Sequence, residues 1–214
     1  MSEIALSRNV ARKSSGSARA FLWIGLTAWF AGIIFLGSNN FFVGRQGTPP
    51  LALLTAATAP VMAFLSSVSL SSSFRELALS ADLKFGSTVQ AWRLGGYSFL
   101  ILYAYGYLPG YFAWPAAAGD MLIGVTAPWI VAKMSNPGFV QSRTFVAWNV
   151  LGILDLLVAV AMGALGSVLL GNPSGVFPTT VMSQMPLVLI PTFFVPMFVV
   201  LHLVALLQVR QRLH

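Results

Sequence analysis

Six apolar runs, at about residues 20–38, 50–71, 88–108, 113–133, 144–168 and 184–208, leave this chain few folds to choose from. Each holds roughly 19 to 25 residues, the length that crosses a hydrocarbon core about 30 Å thick at about 1.5 Å per helical residue. No water reaches the backbone there, so each run must satisfy its own N–H and C=O groups, as a helix does. The expected fold is an all-α integral membrane protein, a six-transmembrane-helix bundle. Residues 1–19 form a basic N-terminal segment, 20–208 a single membrane domain and 209–214 a short tail.

Composition supports the same class. The chain is 57% hydrophobic and 8% charged, against about 25% charged for an ordinary soluble domain, which excludes soluble, disordered and fibrous classes. Cysteine is absent, so disulfides, Fe–S clusters and thiolate chemistry are excluded. The run at 20–37 is longer than a signal-peptide core and lacks an Ala-x-Ala exit, so it reads as a retained first span.

The net charge of +7 is no nucleic-acid signature, because the basic residues sit between the runs. Arg8, Arg12, Lys13 and Arg19 precede the first run. Arg75 and Lys84 lie between the second and third, Lys133 and Arg143 between the fourth and fifth, and Arg210 and Arg212 follow the sixth. The opposite connections carry only Arg45. Every second connection is thus basic, which predicts both termini in the cytoplasm of a bacterial-type cytoplasmic membrane.

Between the second and third runs, Ser73 and Glu76 have capping-box spacing, and Phe74, Leu77, Ala78, Ala81 and Phe85 recur at helical spacing. This predicts a short cytoplasmic helix at the interface. The stretch Gly171–Gly175 reads as an uncharged outer turn region. Tyr103, Tyr105, Tyr107, Tyr111, Phe112 and Trp114 crowd the outer ends of the third and fourth runs, as an interfacial aromatic belt does. Pro186, Pro191 and Pro196 predict a proline-kinked sixth span whose freed carbonyls need partners or water.

Function is signalled by polar residues inside the runs: Arg93, Asp120, Asn149, Asp155 and His202. A charge in hydrocarbon is costly, so such residues face the bundle interior, pair, and mark binding sites or ion and proton paths. Counting from the cytoplasmic ends puts Arg93 and Asn149 roughly 7–9 Å inside, His202 about 9 Å inside, and Asp155 near the midplane. These four are expected to form one solute- or proton-binding site, supported by Gln90, Tyr97 and Phe198. Asp120 falls in the outer half by the same count, where Tyr103, Tyr107 or water are its expected partners and direct contact with Arg93 is not expected. Ala116, Asp120, Gly124 and Ala127 share one helical face, as do Gly152, Asp155, Ala159 and Gly163. Small residues beside the acids predict faces packed against protein. Gly25, Ala28 and Gly32 form a similar stripe on the first run, suited to a partner helix or a homodimer.

The leading expectation is a transporter of a small solute or ion, coupled to protons. Acids, an Arg, a His of a type that titrates near neutrality and a proline-broken helix are its parts. A second expectation is a membrane-embedded subunit binding a vitamin- or lipid-like molecule for a larger complex. In size and topology the chain is similar to the substrate-binding components of vitamin uptake systems, a resemblance that carries no residue motif. An enzyme or single-His haem protein is the third. No zincin, Ser-His-Asp, phosphate-loop or CxxC pattern is present. No residue set points to a bis-His haem, retinal, a metal or a nucleotide. The expected partners are the bilayer and a small ligand, with no nucleic acid.

Overall fold

The computed structural model describes residues 3–44, 48–169 and 179–213, with the side chains of 3–19, 21, 167–169 and 213 left aside. Arg45, the Gly171–Gly175 connection, His214 and the side chains of Arg8, Arg12, Lys13 and Arg19 lie outside the described residues. Among the described residues every regular element is helical: α1 Glu3–Ser38, α2 Leu51–Leu70, α3 Ser72–Leu79, α4 Leu83–Val89, α5 Tyr97–Ala104, α6 Gly110–Lys133, α7 Arg143–Leu169 and α8 Val195–Leu213. Tight 3-10 turns cover Gln90–Gly96, Phe139–Gln141 and Thr179–Ser183, and a wide π turn, Ile190–Phe194, leads into α8.

Four segments are long and apolar enough to cross a membrane: Leu51–Leu70, Gly110–Lys133, Arg143–Gly166 and Ile190–Arg212. Leu22–Ser38 is a shorter apolar helix. The outward faces are greasy, with Leu122, Val125 and Trp129 exposed on α6 and Leu151, Leu154, Leu157 and Val158 exposed on α7. Three charged side chains, Arg93, Asp120 and Asp155, lie inside instead. That inversion suits a bilayer as solvent.

Helices α6, α7 and α8 pack in succession, with α4, the 90–96 turn and α5 against α6 and with α2 against α8. Two apolar cores stack along α6. One joins Phe99, Leu108, Phe112 and Ala116; the other joins Ile123, Ala127, Phe145 and Trp148. Asp120 falls between them in sequence. The short helix expected after the second run is α3, but its cap is Ser71, not Ser73. The Ser71 hydroxyl accepts from the Phe74 N–H at 3.2 Å. Arg75 turns back to donate to the terminal carbonyls Val68 (3.0 Å) and Ser69 (3.4 Å) of α2.

The charged connections meet at one end of the bundle. Lys84 Nζ donates to Ser135 Oγ at 3.4 Å, joining the connections on either side of α4–α6. Gln208, buried near the end of α8, donates to Ala81 O at 2.9 Å and Ala78 O at 3.3 Å.

Candidate functional site

The path from α4 to α5 sets the site's depth. Asp82 caps α4, its carboxylate accepting from the Lys84 N–H at 2.8 Å and the Phe85 N–H at 3.2 Å. The helical path therefore starts at Leu83, five residues before the expected span. The 3-10 turn over 90–96 rises about 2.0 Å per residue in place of about 1.5 Å, which puts Arg93 about 16 Å along it. Counted from the same end of the bundle, Asp120 lies about 20 Å from the Lys133 end of α6, Asp155 about 18 Å into α7, and His202 about 16 Å from the end of α8. The four share one level.

The structure corrects the expected partners of Asp120. Arg93 Nε donates to Asp120 Oδ1 at 2.7 Å, and Nη2 donates to Asp155 Oδ2. Nη1 donates to the Gly152 carbonyl at 3.1 Å and faces His202 Nε2 at 3.4 Å. One guanidinium thus joins α6, α7 and α8 from the turn before α5. Its planar fork suits this better than a lysine's point charge would. Tyr103 and Tyr107, the expected partners of Asp120, are exposed, as is Tyr97.

His202 continues the network. Asn149 Nδ2 donates to the Phe145 carbonyl at 2.8 Å, which leaves Oδ1 to face His202 Nδ1 at 2.9 Å as an acceptor. The ring proton therefore sits on Nδ1, and Nε2 turns its lone pair toward Arg93. Trp148 meets the ring edge-on at 5.3 Å, held by its own Nε1 donating to Thr126 Oγ1 at 2.9 Å. Gln90 donates to the Phe198 carbonyl at 3.2 Å, while its buried Oε1 has no partner among the described residues. Among the described residues no three metal-ligating side chains converge on a point that an ion would fill.

Glycines make this approach feasible. A Cβ on Gly119 would overlap the Asp155 carboxylate, and one on Gly152 would overlap the His202 ring. Gly96 lies against Asp120, and Gly124 against the Arg93–Leu94 backbone. Gly124 and Gly152 fall on the stripes read from sequence; Gly96 and Gly119 do not. Ala116, Gly124, Ala127 and Gly152 are buried, as those stripes imply.

Two clefts approach the network from opposite ends. An open cleft, about 750 Å³ with the open space at its mouth counted, reaches Asp120 between Phe99, Phe112, Leu156, Thr179 and Pro191. A smaller one of about 360 Å³ enters beside Asp82 and Ser87 and reaches Gln90, Asn149 and His202. The first touches the late part of α7 and the start of the last helix; the second touches the early part of α7 and the late part of α8. Sequence reasoning had no signal for either, since each is made by three or more elements.

No curated protein and no solved structure matches the chain. The domain of unknown function DUF8737 matches residues 50–210, from the start of α2 into the last turn of α8 and including all five network residues. The chain therefore belongs to the DUF8737 family, whose matched span contains the whole charge network and leaves out α1.

Proposed function

We propose that this is a six-span membrane protein with cytoplasmic termini that moves a small solute or ion across the bilayer in exchange with, or together with, protons. Four spans are those named above. The first is completed by α1, and the third by the path Leu83–Ala104, broken by its 3-10 turn. The meeting of Arg75, Lys84, Lys133, Arg143, Arg210 and Arg212 segments at one end of the bundle supports the orientation.

The observation that carries transport is that the two clefts stop on opposite sides of one charge network. Arg93, Asp120, Asp155, Asn149 and His202 form the partition between them, and Gln90, Phe198 and the neighbouring glycines support it. A static lock would have little use for such a partition, since hydrogen bonds between membrane helices average under about 1 kcal/mol. Two acids share one guanidinium, so the network is one positive charge short. A proton or a cationic ligand supplies that charge, and exchange between them releases Arg93 from one acid at a time. The 3-10 stretch at 90–96, a winding that often marks a hinge within a helix, carries Arg93.

Proteoliposomes carrying a pH-sensitive dye, offered a panel of amino acids, sugars, organic cations and anions, test this reading. Wild type moves protons with at least one solute, above the leak of empty vesicles. Asp155→Asn abolishes that flux while the protein still inserts and elutes as a single species. Unchanged flux in Asp155→Asn and in Arg93→Leu makes the network structural. The binding-subunit reading gains where a molecule copurifies with wild type, is lost from Asp155→Asn, and is never moved.

A further inference from the structure

The network presents its charges unequally. The Arg93 side chain is 0% exposed, and its N–H groups point at Asp120, Asp155, the Gly152 carbonyl and His202. The side chains of Asp120 and Asp155 are 15% and 18% exposed. What a ligand meets from the open space is carboxylate; the guanidinium is sealed behind it. Among the described residues Asp120 is the charged one on the wall of the larger cleft.

The rest of that wall is mostly apolar. Phe99 and Phe112, in edge-to-face contact at 5.6 Å, form its aromatic side, and Leu156, Ala159 and Ile190 line it further. The Thr179 hydroxyl on the wall is already committed to the Gly163 carbonyl at 2.7 Å. A greasy cleft with one anionic group among its described wall residues fixes both halves of its occupant. An anion would meet a carboxylate, and a strongly hydrated ion would lose its water to phenyl and alkyl walls. A cation whose charge is spread over an apolar body loses little on entry and gains from the carboxylate and the ring faces. The inner cleft also offers an acceptor, Gln90 Oε1, unpartnered among the described residues.

We propose that the larger cleft binds a hydrophobic organic cation, an alkyl- or arylammonium or a phosphonium, with its charge against Asp120 and its body between Phe99, Phe112 and Leu156. This names the substrate class for the transport reading above and rests on it for movement, not for binding. The charged and titratable groups around Asp120 are Arg93 from the 90–96 turn, Asp155 from α7 and, behind Arg93, His202 from α8. The bound cation supplies the charge that the network lacks and displaces a proton held there.

The probe is tetraphenylphosphonium, bound to the full chain in a nonionic detergent and measured by equilibrium dialysis against empty micelles. Saturable binding is expected, with release of a proton in weakly buffered solution. Asp120→Asn weakens binding about tenfold or more. Ala159→Leu, which fills the cleft without touching the network, weakens it as well and decides the matter if Asp120→Asn does not fold. Tetraphenylborate, of the same shape and opposite charge, fails to compete. Absence of binding above micelles, equal competition by the borate, or unchanged affinity in Ala159→Leu overturns the proposal. A cation that binds as described but never crosses a proteoliposome removes the transport reading and leaves the site. Movement of another solute by a protein that does not bind the phosphonium removes the site alone.

Discussion

The small-residue stripe of α1 looks like those of α6 and α7 in the sequence and behaves oppositely in the structure. On α1, Gly25, Ala28 and Gly32 are all exposed, and a Cβ added at Gly25 or Gly32 would meet nothing within 4 Å. On α6 and α7, a Cβ at Gly124 or Gly152 would collide with a neighbouring backbone or an imidazole. Spacing cannot separate them, because the difference lies in what the facing helix carries. Small residues let helices approach closely. In the centre that closeness lets one guanidinium reach acids on two other helices without water between them. Among its described side chains, helix α1 is fastened where Trp29 and Phe30 pack on Phe193 at 4.6 and 4.8 Å and Ile33 joins Phe42, Leu53 and Val188. Leu22, Trp23 and Ile24, earlier on the same helix, are exposed.

The hardest blow to this contrast is Arg93→Met. It leaves two acids buried at one level with no cation between them, and removing one partner of a buried ion pair costs about 3–5 kcal/mol. The variant is expected to aggregate or to lose most of its thermal stability in detergent, read by fluorescence-detected size exclusion after heating. A melting midpoint equal to wild type would mean that the network does not hold the central helices together, and the stripes would then differ in crowding alone.

Crowding itself is tested by Gly152→Ala, whose added methyl must displace the His202 ring. Overpacking a filled interior costs about 1–3 kcal/mol. The ring cannot yield freely, since Asn149 holds one face of it and Trp148 borders another. A measurable fall in midpoint is expected, smaller than for Arg93→Met. The two effects should not add, because both act through His202 and Arg93. Simple additivity in the double variant would show that the histidine is not coupled to the arginine.

Much of this arrangement was legible before any coordinates. Hydropathy placed the apolar helices, because a membrane solvent leaves little freedom in backbone pairing. It also singled out the residues that meet at the centre, since charges in such runs must find one another. The contact between Arg93 and Asp120 was not legible. A depth counted from residue 88 at the α-helical rise falls short, because the path begins at Leu83 and stretches over 90–96. Asp82, followed by Leu83, Lys84 and Phe85, was the available signal, a capping residue at the head of an apolar path. Gly95-Gly96 was a second, marking weak helical preference next to the arginine. Gly119 could not have been found, because its role is set by the Asp155 carboxylate of another helix.

The smallest expected effect is at α1. Replacing Gly25 and Gly32 by alanine removes a flexible residue from a helix and adds methyl groups that meet nothing within 4 Å. Alanine is favoured over glycine in a helix interior by about 0.5–1 kcal/mol per site. The double variant should therefore melt at or slightly above the wild-type midpoint, with unchanged mass by light scattering in detergent. This direction is opposite to that of Gly152→Ala, although both changes add the same methyl to a glycine in a small-residue stripe. A fall in midpoint together with a loss of oligomeric mass would mean that a second copy of α1 packs on this face. The contrast would then lie between a stripe that closes on the chain's own charges and one that closes on another molecule.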